Sequence, residues 1–350
     1  MKNPFSLAFG KEPEAAVSRT YQLQKIKDVF IEGDTGSQAF IITGVRGSGK
    51  TVLLSEAGKE FDTLDDWTVV DLNANNDMLA SLLSKLNSVK TIKNILSGIN
   101  LSISLPGVNI SYGKGNSITD PEIALEKILK ALKKKDHKLL VTIDEVDKSE
   151  HLKSFITTFQ MMLRKNLPLY ILMTGLYENV SDLQNESNMT FLLRTPKVEL
   201  TTLNKTGMIS SYMKSCNVGE NKAREMAGLT KGYAFAFQLL GYLFWNQMKE
   251  SGSEELNALL PEFDQNLEEF VYAKIWSSLS ATDKKYLRQL SEKDIYKVSD
   301  LLTEMNVTNS RFSIYRKRLA AKGLINTEER GYVSLSLPRF EVFIKNMEII

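Results

Sequence analysis

The chain has 350 residues, 43% apolar and 25% charged, with a formal net charge of +2, so it can bury two or three cores and any nucleic-acid surface has to be local. One cysteine, Cys216, excludes an internal disulfide and fits a reducing compartment, and with only His137 and His151 beside it a zinc site is not expected. No run nears 18 apolar residues and residues 1–10 lack the apolar core of a signal peptide, so the expectation is a cytoplasmic protein with no membrane partner.

Residues 4–20, with Pro4, Gly10 and Pro13, read as loop; residues 21–30 then space Leu23, Ile26, Val29 and Phe30 at helical intervals. The apolar run Ala39, Phe40, Ile41, Ile42, Thr43 predicts a strand. It delivers Gly44, Val45, Arg46, Gly47, Ser48, Gly49, Lys50 and Thr51, a complete G-x-x-x-x-G-K-[ST] string. An amphipathic helix beginning Val52, Leu53, Leu54 follows, to about Glu60. Glycines there let backbone N–H groups turn inward toward phosphate, and the helix N-terminus adds a favourable dipole. Agreement of strand, loop and helix separates this match from a Gly-rich turn. A nucleoside triphosphate is therefore expected on residues 44–52, with Lys50 against β/γ-phosphate charge and the Thr51 hydroxyl on Mg²⁺.

A second buried strand is predicted over 67–72 and a helix over 77–86. In 91–118, Ile99, Leu101, Ile103 and Leu105 alternate with polar residues, Pro106 and Gly107 turn the chain, and Val108, Ile110 and Tyr112 alternate again. That is a hairpin, read as an insert. It could be a DNA- or partner-contacting element; with Lys114 its one positive charge from Ile99 on, a mobile decoration is the simpler reading. Thr119, Asp120, Pro121 and Glu122 open a helix reaching Lys134. Residues 138–143 form a strand running into Asp144 and Glu145. A helix over 151–165, a strand over 169–173 ending at Thr174 and Gly175, and a short last strand over 197–200 complete the series. Nearly all-apolar strands alternating with helices predict an α/β core with a parallel sheet covered on both faces. Residues 201–269 are only helical in pattern. From 278 three short helices precede a β-hairpin at 328–331.

Apolar strand, then Asp-Glu, after a phosphate loop is the pattern of a second nucleotide motif. Asp144 would hold the Mg²⁺ shell, leaving Glu145 to orient and polarise a water, since a carboxylate tied to metal cannot also serve as base. The plainer alternative is two surface acids opening a turn. Thr174 ends the neighbouring strand, where ligands of such sheets collect, and could touch the γ-phosphate or its attacking water.

These features together resemble the AAA+ and STAND division of P-loop ATPases, in particular prokaryotic, archaeal-type ATPases akin to origin-recognition and helicase-loader proteins. The residues carrying the resemblance are Asn3, Pro4 and Phe5, Ser18 and Arg19 opening the first helix, residues 44–51, residues 139–147, the strand ending in Thr174, and Gly228, Leu229, Thr230, Lys231, Gly232 and Tyr233. It covers nearly the whole chain. It implies a P-loop NTPase parallel sheet of order 5-1-4-3-2 over residues 1–200, a helical lid over 201–270, and a C-terminal winged helix over 271–350. It also implies that Val17 and Arg19 lie near the adenine, and that Arg194 acts as an arginine finger toward a neighbouring subunit, the alternative for Arg194 being a solvated arginine at a strand entry. The lid departs from the pattern. Where relatives offer an arginine after Gly-x-x, this chain has Gly232, Tyr233, Ala234, Phe235, and only Arg224 or Lys231 nearby could substitute.

In the C-terminal region, residues 297–302 read as the first helix of a helix-turn-helix, 307–310 as its turn and cap, and 311–322 as the second helix, with Phe312, Tyr315 and Leu319 inward. Asn309, Ser310, Ser313 and Lys317 fall on its outer face, with Arg311, Arg316 and Arg318 close by and Arg330 at a hairpin tip. Residues 281–350 carry 13 Lys and Arg against 9 Asp and Glu, a balance that suits phosphate contacts and double-stranded DNA in the major groove. The same fold used only for packing or protein docking is the alternative. The leading expectation is thus an Mg-ATP-binding and hydrolysing ATPase whose nucleotide state controls a DNA-binding module, possible as a homo-oligomer. Its rival is an ADP/ATP switch with little turnover, whose C-terminal module docks on protein. A GTPase is disfavoured because Asn204, Lys205, Thr206 and Gly207 lack the Asp that would read guanine.

Overall fold

The computed structural model describes all residues except 1, 9, 11, 12, 34, 35, 98–100, 106, 107, 113–116 and 348–350. They form two compact units, one of Arg19–Thr43 and Lys50–Glu199, the other of Met1–Ser18, Gly44–Gly49 and Leu200–Ile350.

In the first of these, α1 (Thr20–Lys27) leads to β1 (Ala39–Gly44), and α2 (Lys50–Asp62) to β2 (Trp67–Leu72). Then come α3 (Met78–Leu86), α4 (Lys90–Leu96), β3 (Leu101–Leu105), β4 (Val108–Tyr112), β5 (Ser117–Ile118) and α5 (Pro121–Lys133). β6 (Lys138–Ile143), α6 (Glu150–Arg164), β7 (Leu169–Gly175), α7 (Tyr177–Gln184) and β8 (Lys197–Leu200) complete it. The large sheet has the order β2-β6-β7-β1-β8, and the β2–β6, β6–β7 and β7–β1 pairs are parallel. Numbered by large-sheet strand alone, that is 5-1-4-3-2 read from β8. Every residue of β1 is buried, as are Leu139 to Ile143 of β6, which explains why these strands read as unbroken apolar runs. Asp120 and Ser149 cap α5 and α6 by accepting from the backbone N–H three residues on. His137, buried at the entry to β6, pairs with Thr68 Oγ1 at 2.9 Å, and burial lowers its pKa.

The insert differs from the mobile decoration expected of it. β3 and β4 pair antiparallel with Ile103 opposite Ile110, and β5 adds a parallel strand beside β3. Leu101, Ile103 and Ile110 are buried in the same cluster as α3 and α5 residues such as Leu82, Leu86 and Leu125. Alternation gave the hairpin one apolar face, and that face had to be covered. α4, whose Ile92 and Leu96 join this cluster, was not foreseen. Ile99, the Pro106–Gly107 turn and Lys114 lie outside the described residues.

The other unit holds α8 (Lys205–Cys216), α9 (Glu220–Leu229), α10 (Ala234–Ser251), α11 (Leu260–Leu267) and α12 (Ala273–Ser277). It continues with α13 (Ala281–Leu290), β9 (Tyr296–Lys297), α14 (Val298–Met305), α15 (Asn309–Ala321), β10 (Ile325–Asn326), β11 (Tyr332–Leu335) and α16 (Phe340–Asn346). The N-terminal segment is stitched onto α10. Asn3 Nδ2 donates to the Tyr242 carbonyl and to Asn246 Oδ1, and Phe5 packs its ring on Tyr212 and Phe237. Gly241 is required there, because a Cβ would stand 2.3 Å from the Phe5 ring. The strands β10, β11 and β9 form a small antiparallel sheet in that order. α15 starts two residues earlier than its pattern implied, with Thr308 as its cap. α16, absent from the expectation, is held at its start by Arg339, which forms a two-pronged ion pair with Asp264 of α11.

Candidate functional site

The phosphate-loop string stands where the sequence put it, between β1 and α2. Gly47 and Gly49 have φ of +74° and +93°, left-handed conformations that only glycine takes without strain. Ser48 N–H closes a turn on the Val45 carbonyl at 3.2 Å, and Ser48 and Lys50 are buried. Thr51 and Val52 are half-buried in the first turn of α2.

Sheet register brings the other residues to one edge. Ile42 of β1 lies beside Thr174 of β7, and Ile143 of β6 beside Met173, so the residue after β6, Asp144, comes level with Thr174. The contacts follow. Thr51 Oγ1 donates to Asp144 Oδ2 at 2.8 Å. Thr174 Oγ1 donates to Asp144 Oδ1 and accepts the Glu145 N–H at 3.1 Å. The Thr174 carbonyl accepts the next amide, Val146 N–H, at 2.8 Å. Thr174 itself is wholly buried. Glu145 is exposed and sits at φ +53°, a conformation costing a non-glycine residue about 1–2 kcal/mol, here held by two successive amides on Thr174. Asp147 accepts the Ser149 N–H at 2.8 Å.

A hydroxyl and a carboxylate 2.8 Å apart are hard oxygen donors of the kind Mg²⁺ takes, and Mg²⁺ completes its shell with water and substrate phosphate. No group of three or more His, Cys, Asp and Glu side chains able to hold a metal occurs among the described residues, so phosphate oxygens would have to complete the shell. The donor set fits.

Other expected residues fall elsewhere. Arg194 ends a short 3₁₀ turn (Thr190–Arg194) and is exposed, beside Leu193, which is 59% exposed. Val17 is half-buried against Gly207, where a Cβ would meet its methyl at 2.9 Å. Arg19 is buried just before α1, and burial lowers its pKa. Asn204 is the N-cap of α8, accepting from Gly207 N–H, which accounts for the Asn-Lys-Thr-Gly string. Neither stand-in for the missing lid arginine is aimed at the loop: Arg224 pairs with Glu220 one turn away on α9, and Lys231 lies 4.0 Å from Glu341.

What the sequence missed is Tyr233. Its hydroxyl donates to the Arg46 carbonyl at 2.6 Å, and the Phe235 N–H donates to the Gly47 carbonyl at 3.1 Å. Its place at the end of the 228–233 string, just before a core helix, gave no sign of that contact. Val45 also touches α15's end, for a Cβ on Gly323 would come 2.1 Å from Val45 Cγ1.

On the C-terminal module, Asn309, Ser310, Arg311, Ser313, Lys317 and Arg330 are all exposed. Arg318 is not part of that face: it turns inward to the buried Asp283 and to Ser280. Ile314, 66% exposed, stands among the polar residues of α15.

Residues 269–344 match a family described as Domain of unknown function (DUF8462). No curated protein matches the sequence. Among solved structures the chain is similar to the Walker-type ATPase of Pyrococcus abyssi, at 14% identity over 97% of this chain and 99% of that one, with TM-score 0.66. It is also similar to the ORC2 protein of Aeropyrum pernix in ADPNP–ADP complexes, at 15% identity over 97% and 96% of the two chains, with TM-score 0.62. At such identities the likeness is one of fold: the chain shares the fold of these two proteins.

Proposed function

We propose that this chain binds Mg-ATP and hydrolyses it, and that nucleotide state controls its C-terminal module. The observation that carries this is the 2.8 Å bond from Thr51, in the first helical turn after the loop, to Asp144 at the tip of a neighbouring strand. Loop amides and Lys50 would hold the phosphates; Thr51 and Asp144 would hold Mg²⁺, which when bound neutralises charge on the phosphate oxygens. Glu145, beside Asp144 yet free of the metal role, would orient the attacking water and take its proton. The nucleotide seen with the Aeropyrum pernix ORC2 protein supports ATP or ADP as the ligand here.

The working division is a core over 1–200, a lid over 201–270 and a winged helix over 271–350, with Val17 and Arg19 near the base. The α13–α15 helices with the β9–β11–β10 sheet, and the exposed polar and basic residues of α15, support a winged helix able to meet double-stranded DNA. Arg194, exposed beside an exposed leucine, suits contact with a second copy.

Phe235 in the lid, with Arg224 and Lys231 both turned to glutamates, favours a second reading: a switch that keeps its nucleotide, turns over rarely and docks on protein. Lys50→Ala should abolish ATP binding, and Glu145→Gln should retain binding while phosphate release falls to background. Unchanged affinity in the first variant would sink the assignment; continued turnover in the second would move the base elsewhere. A duplex-DNA affinity that falls steeply with salt supports the DNA module, and a flat dependence supports protein docking.

A further inference from the structure

We infer that Tyr233 is a positioning residue for the phosphate loop: its hydroxyl, with the Phe235 amide, fixes the loop's carbonyls so that the Gly47 N–H is aimed at nucleotide phosphate. The inference rests on the ATP-binding reading above and adds to it the means by which the lid acts on the loop.

The geometry is that of a planar trans peptide. The Arg46 carbonyl and the Gly47 N–H belong to one peptide unit and point in opposite directions. A donor that pins the carbonyl to one side therefore turns the amide to the other. Tyr233 supplies that donor at 2.6 Å, and Phe235 N–H pins the next carbonyl, that of Gly47, at 3.1 Å. The second donor needs no side chain. Phe235 lies in the first turn of α10, where backbone N–H groups lack intrahelical partners, so its amide is available to the loop.

The fit is close. Tyr233 is 6% exposed, and a Cβ on Gly47 would come 2.2 Å from its hydroxyl oxygen. Glycine at 47 thus serves twice: it takes φ +74°, and it leaves room for the tyrosine. Burial pushes the Tyr233 phenol well above its ordinary range, so it remains a donor throughout the physiological range. In a lid without an inward arginine, a neutral hydroxyl reaches the loop instead of a cation reaching the phosphate. Such a contact does not require the nucleotide to carry a γ-phosphate, so it serves ADP and ATP alike.

Tyr233→Phe removes one oxygen and leaves the ring. Full-length wild-type and variant protein are titrated calorimetrically with ADP, and adenosine is measured by competition. The expected result is an ADP Kd raised about 5- to 20-fold, with adenosine affinity and melting temperature nearly unchanged. Phe270→Ala, which removes the exposed ring packed on Phe235 and leaves both loop donors in place, should bind ADP as wild type does. An unchanged ADP Kd in Tyr233→Phe overturns the proposal. So does an equal weakening of ADP and adenosine, or a lowered melting temperature that accounts for the loss. An equal loss in Phe270→Ala would make lid packing, rather than the hydroxyl, the agent and would overturn the proposal. Wild-type protein that binds no ADP removes the ATP-binding reading itself, whereas wild-type binding with an unaffected variant removes only the role of Tyr233.

Discussion

Thr174 has a single hydroxyl hydrogen, and Asp144 takes it. Its oxygen and its carbonyl take the amides of Glu145 and Val146, so one buried residue fixes both the carboxylate proposed to hold Mg²⁺ and the strained residue beside it. With the hydroxyl spent inside the protein, Thr174 suits positioning better than direct contact with phosphate or water. Thr174→Val keeps the shape, removes a bond to a charged group and leaves the Glu145 N–H unsatisfied. Losses of this kind are about 1.5–3 kcal/mol, which if felt only in the transition state is about 10- to 150-fold in kcat. Phosphate release should therefore fall by that factor while ATP affinity, measured by titration, changes little. An undiminished kcat would show that Asp144 and Glu145 hold their places without it. The position of Thr174 at a strand end was legible in the sequence; its bonds were not, because they depend on the β6–β7 register, which no local pattern encodes.

Among elements, those whose period matched their burial were legible and those stabilised from outside were not. β1, β6 and β7 are covered on both faces, and their unbroken apolar runs say so. α4 is seven residues long, too short for its period to stand out, and depends on Ile92 and Leu96 entering a core built by others. In the C-terminal module, Arg318 lies in a run of basic residues that reads as a solvated, DNA-facing stripe, yet it closes on Asp283, whose carboxylate also caps α13 with Ser280. The Asp283 side chain is 3% exposed and that of Arg318 41%. Removing the arginine strands a buried carboxylate, partly offset by the cap and by solvent at the arginine end, so the cost is about 2 kcal/mol. Arg318→Ala should lower the urea midpoint of the full-length protein accordingly, whereas Lys317→Ala, one residue away and exposed, should leave it within error. Equal effects from the two would mean that the pair contributes nothing beyond surface charge.

At the scale of the whole chain, residues distant in sequence share a unit: Gly44–Gly49 belong with Leu200–Ile350, although the strand before them and the helix after them belong with Lys50–Glu199. The six loop residues therefore feel the C-terminal half of the chain directly. Tyr233 reaches Arg46 from the start of α10, and Val45 lies against Gly323, where α15 ends in a left-handed turn at φ +63°. If nucleotide state controls the C-terminal module, Val45–Gly323 is a place where the two meet without an intermediary. Gly323→Ala adds a methyl 2.1 Å from Val45 Cγ1 and imposes left-handed strain of about 1–2 kcal/mol. It should weaken both ADP binding and stability. The double variant with Val45→Ala removes the collision but leaves the strain. ADP affinity should then recover toward that of Val45→Ala alone, while the urea midpoint stays low. Recovery of neither, or of both together, would mean that the loop senses only global stability, and the direct link from phosphate loop to α15 would fall.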